Sequence, residues 1–540
     1  VDLEFDFVII GAGSAGCVLA NRLSADPGSS VLLLEAGGSD KRFWIQTPIG
    51  YGKTFYDPAV NWMYMTEPDP GIDNRQSYWP RGKVLGGSSS INAMVHIRGQ
   101  AADYDDWRDL GNPGWGWDEV LPYFKKTETA ADGGNRYRGA DGPLFVDNVS
   151  QQHHPLCRRF IAAALQCGFE FNPDFNAETQ EGVGHYQITA RAGRRMSAAR
   201  AYLHPALKRR NCTVFTQAQV TRILFNNRAA AGVEFMQGAQ RRRVKARREV
   251  IVSAGAINSP QILQLSGIGE LALLKNHGIE PVVELPGVGH NLQDHLDCCY
   301  YYRSRLPTLN NQLYPWWGKL AAGMQYLLFR KGMLSLSVNQ AGGFLKGHPS
   351  RPRPNLQTYF NPMSYTAAPP GKRPLMRPDP YPGFVNSIGQ LRPLSRGRLR
   401  IDSADPFAPV KIFPNYLSHE EDVTEMLEGV RLLRRLASSP ELAAIIEQEV
   451  TPGLEVQSEA DLIADIRARS STVFHPTSSC MMGPDRKIAV VDCQCQVYGT
   501  RQLRIVDASV FPTIVSGNTN AAVMMVAEKV ADLILGQREH

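Results

Sequence analysis

An apolar run, Phe7-Val8-Ile9-Ile10, breaks into Gly11-Ala12-Gly13-Ser14-Ala15-Gly16, and a second run, Val31-Leu32-Leu33-Leu34, ends on Glu35. Strand, glycine turn, helix, strand and terminal acid in that order predict a βαβ unit that binds a dinucleotide. Gly11 permits the tight turn, Gly13 lets the backbone approach a pyrophosphate, and Gly16 lets the helix pack closely on the sheet. The helix N-terminus offers unpaired N–H groups and a favourable dipole to phosphate, and Glu35 is placed to accept hydrogen bonds from a ribose.

At 540 residues the chain is too long for one ordinary core, so several domains or one large α/β body with insertions are expected. A hydrophobic content of 43% and a charged content of 20% are those of a globular protein, and no apolar stretch reaches the length of a membrane span. The acidic start Val1-Asp2-Leu3-Glu4 runs straight into the first strand, which argues against a secretory leader. A net charge of +6 spread along the chain gives no reason to expect nucleic acid. The basic run from Arg241 to Arg248 reads as a solvated hairpin beside strand-like segments. Nine scattered cysteines form neither a disulfide framework nor a zinc set, so no metal is expected and a reducing, cytoplasmic setting fits, with at most peripheral contact at an inner membrane.

A second glycine-rich stretch, Gly82-Lys83-Val84-Leu85-Gly86-Gly87-Ser88-Ser89-Ser90-Ile91-Asn92, reads as a loop whose backbone lies against something flat and polar. Short strands are expected over 231–235 and 249–253, followed by a helix that stops at Ser266-Gly267. From about Asp297 to Arg469 the texture changes, with Pro-rich loops between Pro349 and Pro382, a Trp316-Trp317 pair and an amphipathic stretch near Met324 to Arg330. The last seventy or so residues return to the first style, with a strand over 503–507 and a helix over 521–535. The division expected is 1–155, 195–296 and 470–540 for a discontinuous nucleotide domain, 297–469 for a substrate domain, and 156–194 for an excursion toward it.

These motifs together resemble the glucose-methanol-choline (GMC) oxidoreductases, FAD-dependent alcohol oxidases and dehydrogenases. The two family signatures look like Gly82 to Asn92 and Gly255 to Gly269, and Gly289-His290-Asn291-Leu292-Gln293-Asp294-His295 with Phe474-His475-Pro476 is similar to the branch of choline and aliphatic alcohol dehydrogenases. The resemblance implies a mixed α/β fold, a Rossmann-like FAD domain with a discontinuous substrate domain. It places Gly11, Gly13, Ser14, Ala15, Gly16 and Glu35 on the ADP half of FAD, with Val220 at the adenine. It puts Val84, Gly87, Asn92, Met94 and Val95 along the pyrophosphate and isoalloxazine, and Asp507, Ala508, Asn520 and Ala521 also at the cofactor. Relatives with covalent FAD carry His at the position of Ile91, so noncovalent flavin is expected here; His96 stands where relatives often have an aromatic residue.

By the same resemblance His475 is the base that takes the hydroxyl proton and Asn518 its partner at the alcohol oxygen. His290 and His295 follow a Gly-Val-Gly turn and are read as structural. Choline-type relatives carry a Glu before a Gly-x-Phe sequence, and here Gln340 is neutral, which weakens the case for a cationic substrate. Phe344, Tyr359, Phe360, Met363, Tyr365 and Phe474 suggest an apolar, aromatic pocket, with the small Val473 beside the base. The reading is oxidation of a neutral primary alcohol, aliphatic or aromatic, to its aldehyde, with a dehydrogenase using a quinone or electron-transfer acceptor favoured over an oxidase using O2. Rival readings are a choline-type dehydrogenase, a hydroxynitrile-lyase-like enzyme with non-redox FAD, a light-driven fatty-acid decarboxylase and a non-enzymatic flavin-binding or membrane-docking protein.

Overall fold

The computed structural model describes residues 3–365 and 377–536, so part of the Pro-rich stretch lies outside the described residues. The opening motif folds as strand β1 (Leu3–Ile10), helix α1 (Ser14–Leu23) and strand β2 (Val31–Leu34). β1 lies parallel to β2 and to the C-terminal half of the long strand Gln240–Val252, and β2 is parallel to Cys212–Phe215. Such a sheet is covered on both faces, which is why Phe7–Ile10 and all of β2 are apolar and buried.

The two expected short strands are longer, Ala229–Gln237 and Gln240–Val252, and pair as one antiparallel hairpin that carries the basic run. Its charges are absorbed locally: Arg241 and Arg243 pair with Glu234, and Arg247 pairs with Asp6. Helix α2 (Gly255–Leu265) leaves the end of this strand. Strand Leu503–Ile505 returns from the far end of the sequence to pair with it in parallel.

The second sheet is antiparallel. Its order is Ile446–Thr451, β3 (Leu296–Ser304), Gly383–Gln390, Leu356–Asn361, Ala341–Leu345 and Gly182–His185, so a strand from the 156–194 segment forms one edge. Side chains alternate across it. Cys298, Tyr300, Tyr302, Phe360, Phe384 and Ile388 face a core covered by helices Leu156–Gln166, Glu420–Ala437 and Glu459–Arg469. Asp297, Cys299, Tyr359, Asn361 and Ser387 face the other way, into a cavity.

Two helices differ from expectation. The amphipathic stretch extends to α3 (Trp316–Phe329), and only Ala322 and Tyr326 of it are buried. The last helix, α4 (Asn520–Gly536), starts one residue early and packs on α1 in the main core. No helix among the described residues is long and apolar enough to cross a membrane.

Candidate active site

A cavity of about 400 Å³ lies between the two sheets, lined at one end by Gly11, Gly13, Ser14, Ala15 and Glu35 and at the other by His475 and Asn518. The first end is mostly backbone. Gly11 turns out of β1 with φ +95°, and a Cβ there would sit 2.6 Å from the Ser253 carbonyl oxygen. The second glycine-rich loop is laid on this turn: the Gly86 N–H donates to the Ala12 carbonyl (2.7 Å), and a Cβ on Gly87 would come within 2.7 Å of the Gly13 Cα.

α1 begins on Gly13 with no capping side chain, and α2 begins on Ala254, with its first N–H, that of Gly255, taken by Asp507. Their first turns line the cavity, where orphan N–H groups and the helix dipole favour anionic oxygen. The Ser14 hydroxyl donates to the Asn520 Oδ1 (2.7 Å), which brings the start of α4 to the same place. Glu35 is buried, its two oxygens accepting the N–H groups of Ala12 (2.9 Å) and Gly37 (2.8 Å). Burial raises this carboxyl to about 7 against those bonds and the charge of Lys83. Asp507 caps the other side, accepting from the Gly255 N–H (2.9 Å) and the Ser259 hydroxyl (2.5 Å). A glycine cradle, the uncapped start of α1 and a buried carboxylate fit the pyrophosphate and ribose of a dinucleotide.

Val220, Ala508, Met94 and Val95 also line the cavity. Asn92 lines it too, but its side-chain oxygen is taken by the Met94 N–H (3.0 Å) and Arg195 (2.8 Å), so it shapes the loop that holds Met94 at φ +64°. Three expected positions do not line it. Gly16 lies under the turn, where a Cβ would strike the Gly11 carbonyl oxygen at 1.9 Å; Val84 is packed with Ile45, Val60 and Ile91; and Ala521 is buried in α4.

The other end is built from side chains. His475 follows Phe474, a non-glycine residue held at φ +70°. Sparsely populated backbone of this kind persists only where surroundings fix it. Here the Arg81 guanidinium donates to the Phe474 carbonyl (2.6 Å) and the Thr472 hydroxyl accepts the Phe474 N–H (2.7 Å). Asp294 accepts the His475 N–H (2.8 Å) and the hydroxyls of Thr472 (2.6 Å) and Tyr416 (2.5 Å).

The imidazole is fixed by an ordered chain. His295 Nε2 is 2.8 Å from the Leu391 carbonyl, which can only accept, so that nitrogen carries the proton. His295 Nδ1 is then an acceptor, and at 3.0 Å it receives the proton on His475 Nδ1. His475 Nε2 is left unprotonated and accepts from the Asn518 Nδ2 at 3.1 Å, the bond an incoming hydroxyl would share or displace. Asn518 is oriented the same way, since its Oδ1 faces Gln357 Nε2 and the Tyr359 hydroxyl, both at 3.3 Å. Burial first, then His295 and Arg81, hold the His475 imidazole well below its usual value. Burial brings His295 down to about 4 against its bond to Leu391, with Arg392 acting in the same direction as burial. Both rings are neutral near pH 7, as the proton chain requires.

The expected substrate residues divide. Tyr359, Met363, Tyr365, Val473 and Phe474 line the cavity; Gln340, Phe344 and Phe360 do not. Phe360 falls on the helix-covered face of its strand by the two-residue alternation. Phe344 is packed against Ile97, Phe175 and Tyr186, away from the cavity. Gln340 ties loops together, its Oε1 accepting the His154 N–H (2.7 Å). A neutral side chain at Gln340 therefore leaves the charge of the cavity unaffected. A carboxylate does line it elsewhere: Asp297, at the start of β3, accepts the Ser387 hydroxyl at 2.8 Å.

Arg81, Asp294 and Asp297 carry no mark of function of their own in the sequence, where His295 reads as structural. The adjacency of Asp294 and His295 in one motif was the available signal; nothing marked Asp297. His290 is away from the cavity lining. His96 is buried against Glu128 (3.0 Å), which also pairs with Arg98 and Arg138 at 2.6 Å each, so it belongs to an internal ion cluster. No group of His, Cys, Asp or Glu among the described residues could hold a metal ion.

The comparisons with known proteins agree with this architecture. GMC oxidoreductase family models match residues 5–297 and 393–527. The chain is 43% identical to an "Alcohol dehydrogenase [acceptor]" of Pseudomonas putida, over 98% of this chain and 96% of that one. It is also 43% identical to the mitochondrial choline dehydrogenase of Mus musculus, over 99% of this chain and 90% of that one. Among solved structures, pyridoxine 4-oxidase from Mesorbium loti superposes with a TM-score of 0.88 at 30% identity, covering 98% of this chain and 99% of that one. The chain belongs to the GMC oxidoreductase family.

Proposed function

We propose that this chain binds FAD noncovalently and oxidises a neutral primary alcohol to its aldehyde, with His475 as the base. The observation that carries the reading is the His295–His475–Asn518 chain, which aims an unprotonated Nε2 into the cavity. FAD, when bound, supplies the acceptor for the hydride. The protein's part is the proton and the orientation. The alcohol hydroxyl donates to His475 Nε2 and its oxygen accepts from the Asn518 Nδ2, and the base removes the hydroxyl proton as the carbon gives up its hydride. General-base help of this kind is worth about 10²- to 10⁴-fold. Ile91 lines the cavity where covalent relatives carry His, and its side chain offers no nucleophile, which supports a noncovalent cofactor.

Tyr359, Met363, Tyr365, Val473 and Phe474 support a neutral, apolar substrate. Asp297 supports a second reading, a cationic amino alcohol of the choline type, because a lining carboxylate can pair with an ammonium. Two relatives of equal identity, 43%, carry one name of each kind. Anaerobic titration of the FAD-loaded protein with hexanol, benzyl alcohol and choline decides between them. Bleaching of the flavin bands by a neutral alcohol supports the first reading; bleaching by choline alone, abolished by Asp297→Asn, supports the second. An acceptor other than O2 is proposed on the branch likeness, and slow recovery of the bleached flavin in air is the expected outcome. A reducing compartment is proposed as well, in keeping with nine cysteines all free of disulfides.

A further inference from the structure

Helix α3 presents its apolar side chains to water. Trp316 (71% exposed), Trp317 (63%), Leu320 (56%) and Leu328 (68%) stand along its outer side, and Phe329 is exposed at its end. Spacings of three, four and eight residues place these groups on one stripe, the arrangement by which a surface helix ordinarily covers a core. Phe43, on the neighbouring short helix Phe43–Gln46, is also exposed and meets Tyr326 edge-on at 6.3 Å between ring centroids. An apolar patch of this breadth on a folded surface marks a contact surface.

The charge along and just after α3 is cationic. Between Asp297 and Asp379 the sequence has no acidic residue, whereas Lys319, Arg330 and Lys331 lie within or just after α3. The hairpin formed by Ala190–Arg191 and Arg194–Arg195 is packed on the end of the helix: the Tyr326 hydroxyl donates to the Gly193 carbonyl (3.0 Å), and a Cβ on Gly193 would meet the Arg330 carbonyl oxygen at 2.0 Å. Arg191 and Arg194 of that hairpin are exposed.

We propose that α3 is an interfacial helix that docks this enzyme on an anionic bilayer surface, lying in the headgroup plane with its tryptophans and leucines buried and its cationic rim on lipid phosphates. Trp, Leu and Phe on one side with Lys and Arg around them is the composition such helices use. Long Lys and Arg stems reach the headgroups while their methylenes cover apolar surface. A second copy of the chain is a poorer occupant, because a two-fold contact sets the same cationic rim against itself. The chain after α3 runs through the turn Met333–Ser335 to Val338, which lines the cavity and packs with Met363 and Tyr365. Docking therefore brings that wall of the cavity toward the lipid, where apolar alcohols and lipid-soluble electron acceptors collect.

The test is flotation of the FAD-loaded protein with phosphatidylcholine vesicles and with vesicles containing about one-third phosphatidylglycerol. The expected result is binding to the anionic vesicles at least about tenfold above the neutral ones, weakened by salt. Leu320→Asp with Leu328→Asp should lower that binding by about tenfold or more, while flavin content and turnover with a soluble acceptor stay at the wild-type level. Arg330→Glu with Lys331→Glu, which leaves the apolar stripe intact, should remove the preference for anionic lipid. Wild-type protein that stays in the aqueous phase with both vesicles, or variants that float as well as wild type, would overturn the proposal. So would light scattering that shows a dimer dissociated by the leucine variants, which would assign the face to a second copy.

Discussion

Around Gly11, Gly13 and Gly87 the cavity wall is backbone, contributed by turns and helix starts, whereas around His475 it is side chains from residues as far apart as Arg81, Tyr359 and Asn518, with His295 behind His475. The first wall needs the absence of side chains and the second needs several of them in register. Damage to the two ends should therefore read out differently, as lost cofactor in one case and as slowed chemistry with the cofactor retained in the other.

The largest effect is expected at the backbone end. Gly87→Val places a β-branched residue at φ +53° with its Cβ against Gly13. Left-handed strain and overpacking together cost about 2–6 kcal/mol, so the purified variant should carry less than about a tenth of the wild-type flavin by absorbance. Wild-type flavin content in that variant would break the comparison.

At the side-chain end, His295→Ala removes the acceptor for the His475 Nδ1 proton. An unpaired buried donor costs about 1–3 kcal/mol, so flavin reduction should slow by roughly 5- to 150-fold with flavin content unchanged. His295→Gln, whose carbonyl can accept that proton, should recover part of the loss. A merely structural role for His295 would give no such rescue. The wild-type pH profile sharpens the point. His475 is held below the usual imidazole value, so it stays neutral and active as pH falls through about 6.5, and kcat/KM should decline only at lower pH. A decline centred near 6.5 would contradict the buried, neutral base.

The smallest effect is expected at Gln340. Because its side chain is spent on the His154 N–H and does not line the cavity, Gln340→Glu should leave the preference between neutral and cationic alcohols unchanged. A shift toward cations would return that position to the substrate site.

The same contrast explains what could be read from the sequence. Gly11 to Gly16 and Glu35 form a local unit whose spacing is set by one turn and one helix, so its geometry follows from chain order. The family resemblance pointed to His475 and Asn518, whose separation of 3.1 Å depends on pairings across the whole chain. The contact between His295 and His475 joins positions 180 residues apart, and periodicity carries no trace of it. Tyr359 and Phe360 look alike in the sequence, yet one faces the cavity and its neighbour the core, a choice made by strand register. Register likewise turns Asp297 toward the cavity, whereas Gln340 precedes the strand Ala341–Leu345 and is held by the His154 N–H. The exposed side of α3 was half visible, since its tryptophans and its amphipathic end stood out but the direction of its apolar side did not.

The most direct measurement is anaerobic stopped-flow reduction of His475→Ala by the alcohol that bleaches the wild type, with flavin content determined on the same sample. The expected result is full flavin with reduction slowed by about 10²- to 10⁴-fold. Reduction at the wild-type rate would contradict His475 as the base, and loss of the flavin would contradict the separation of the cavity's two ends.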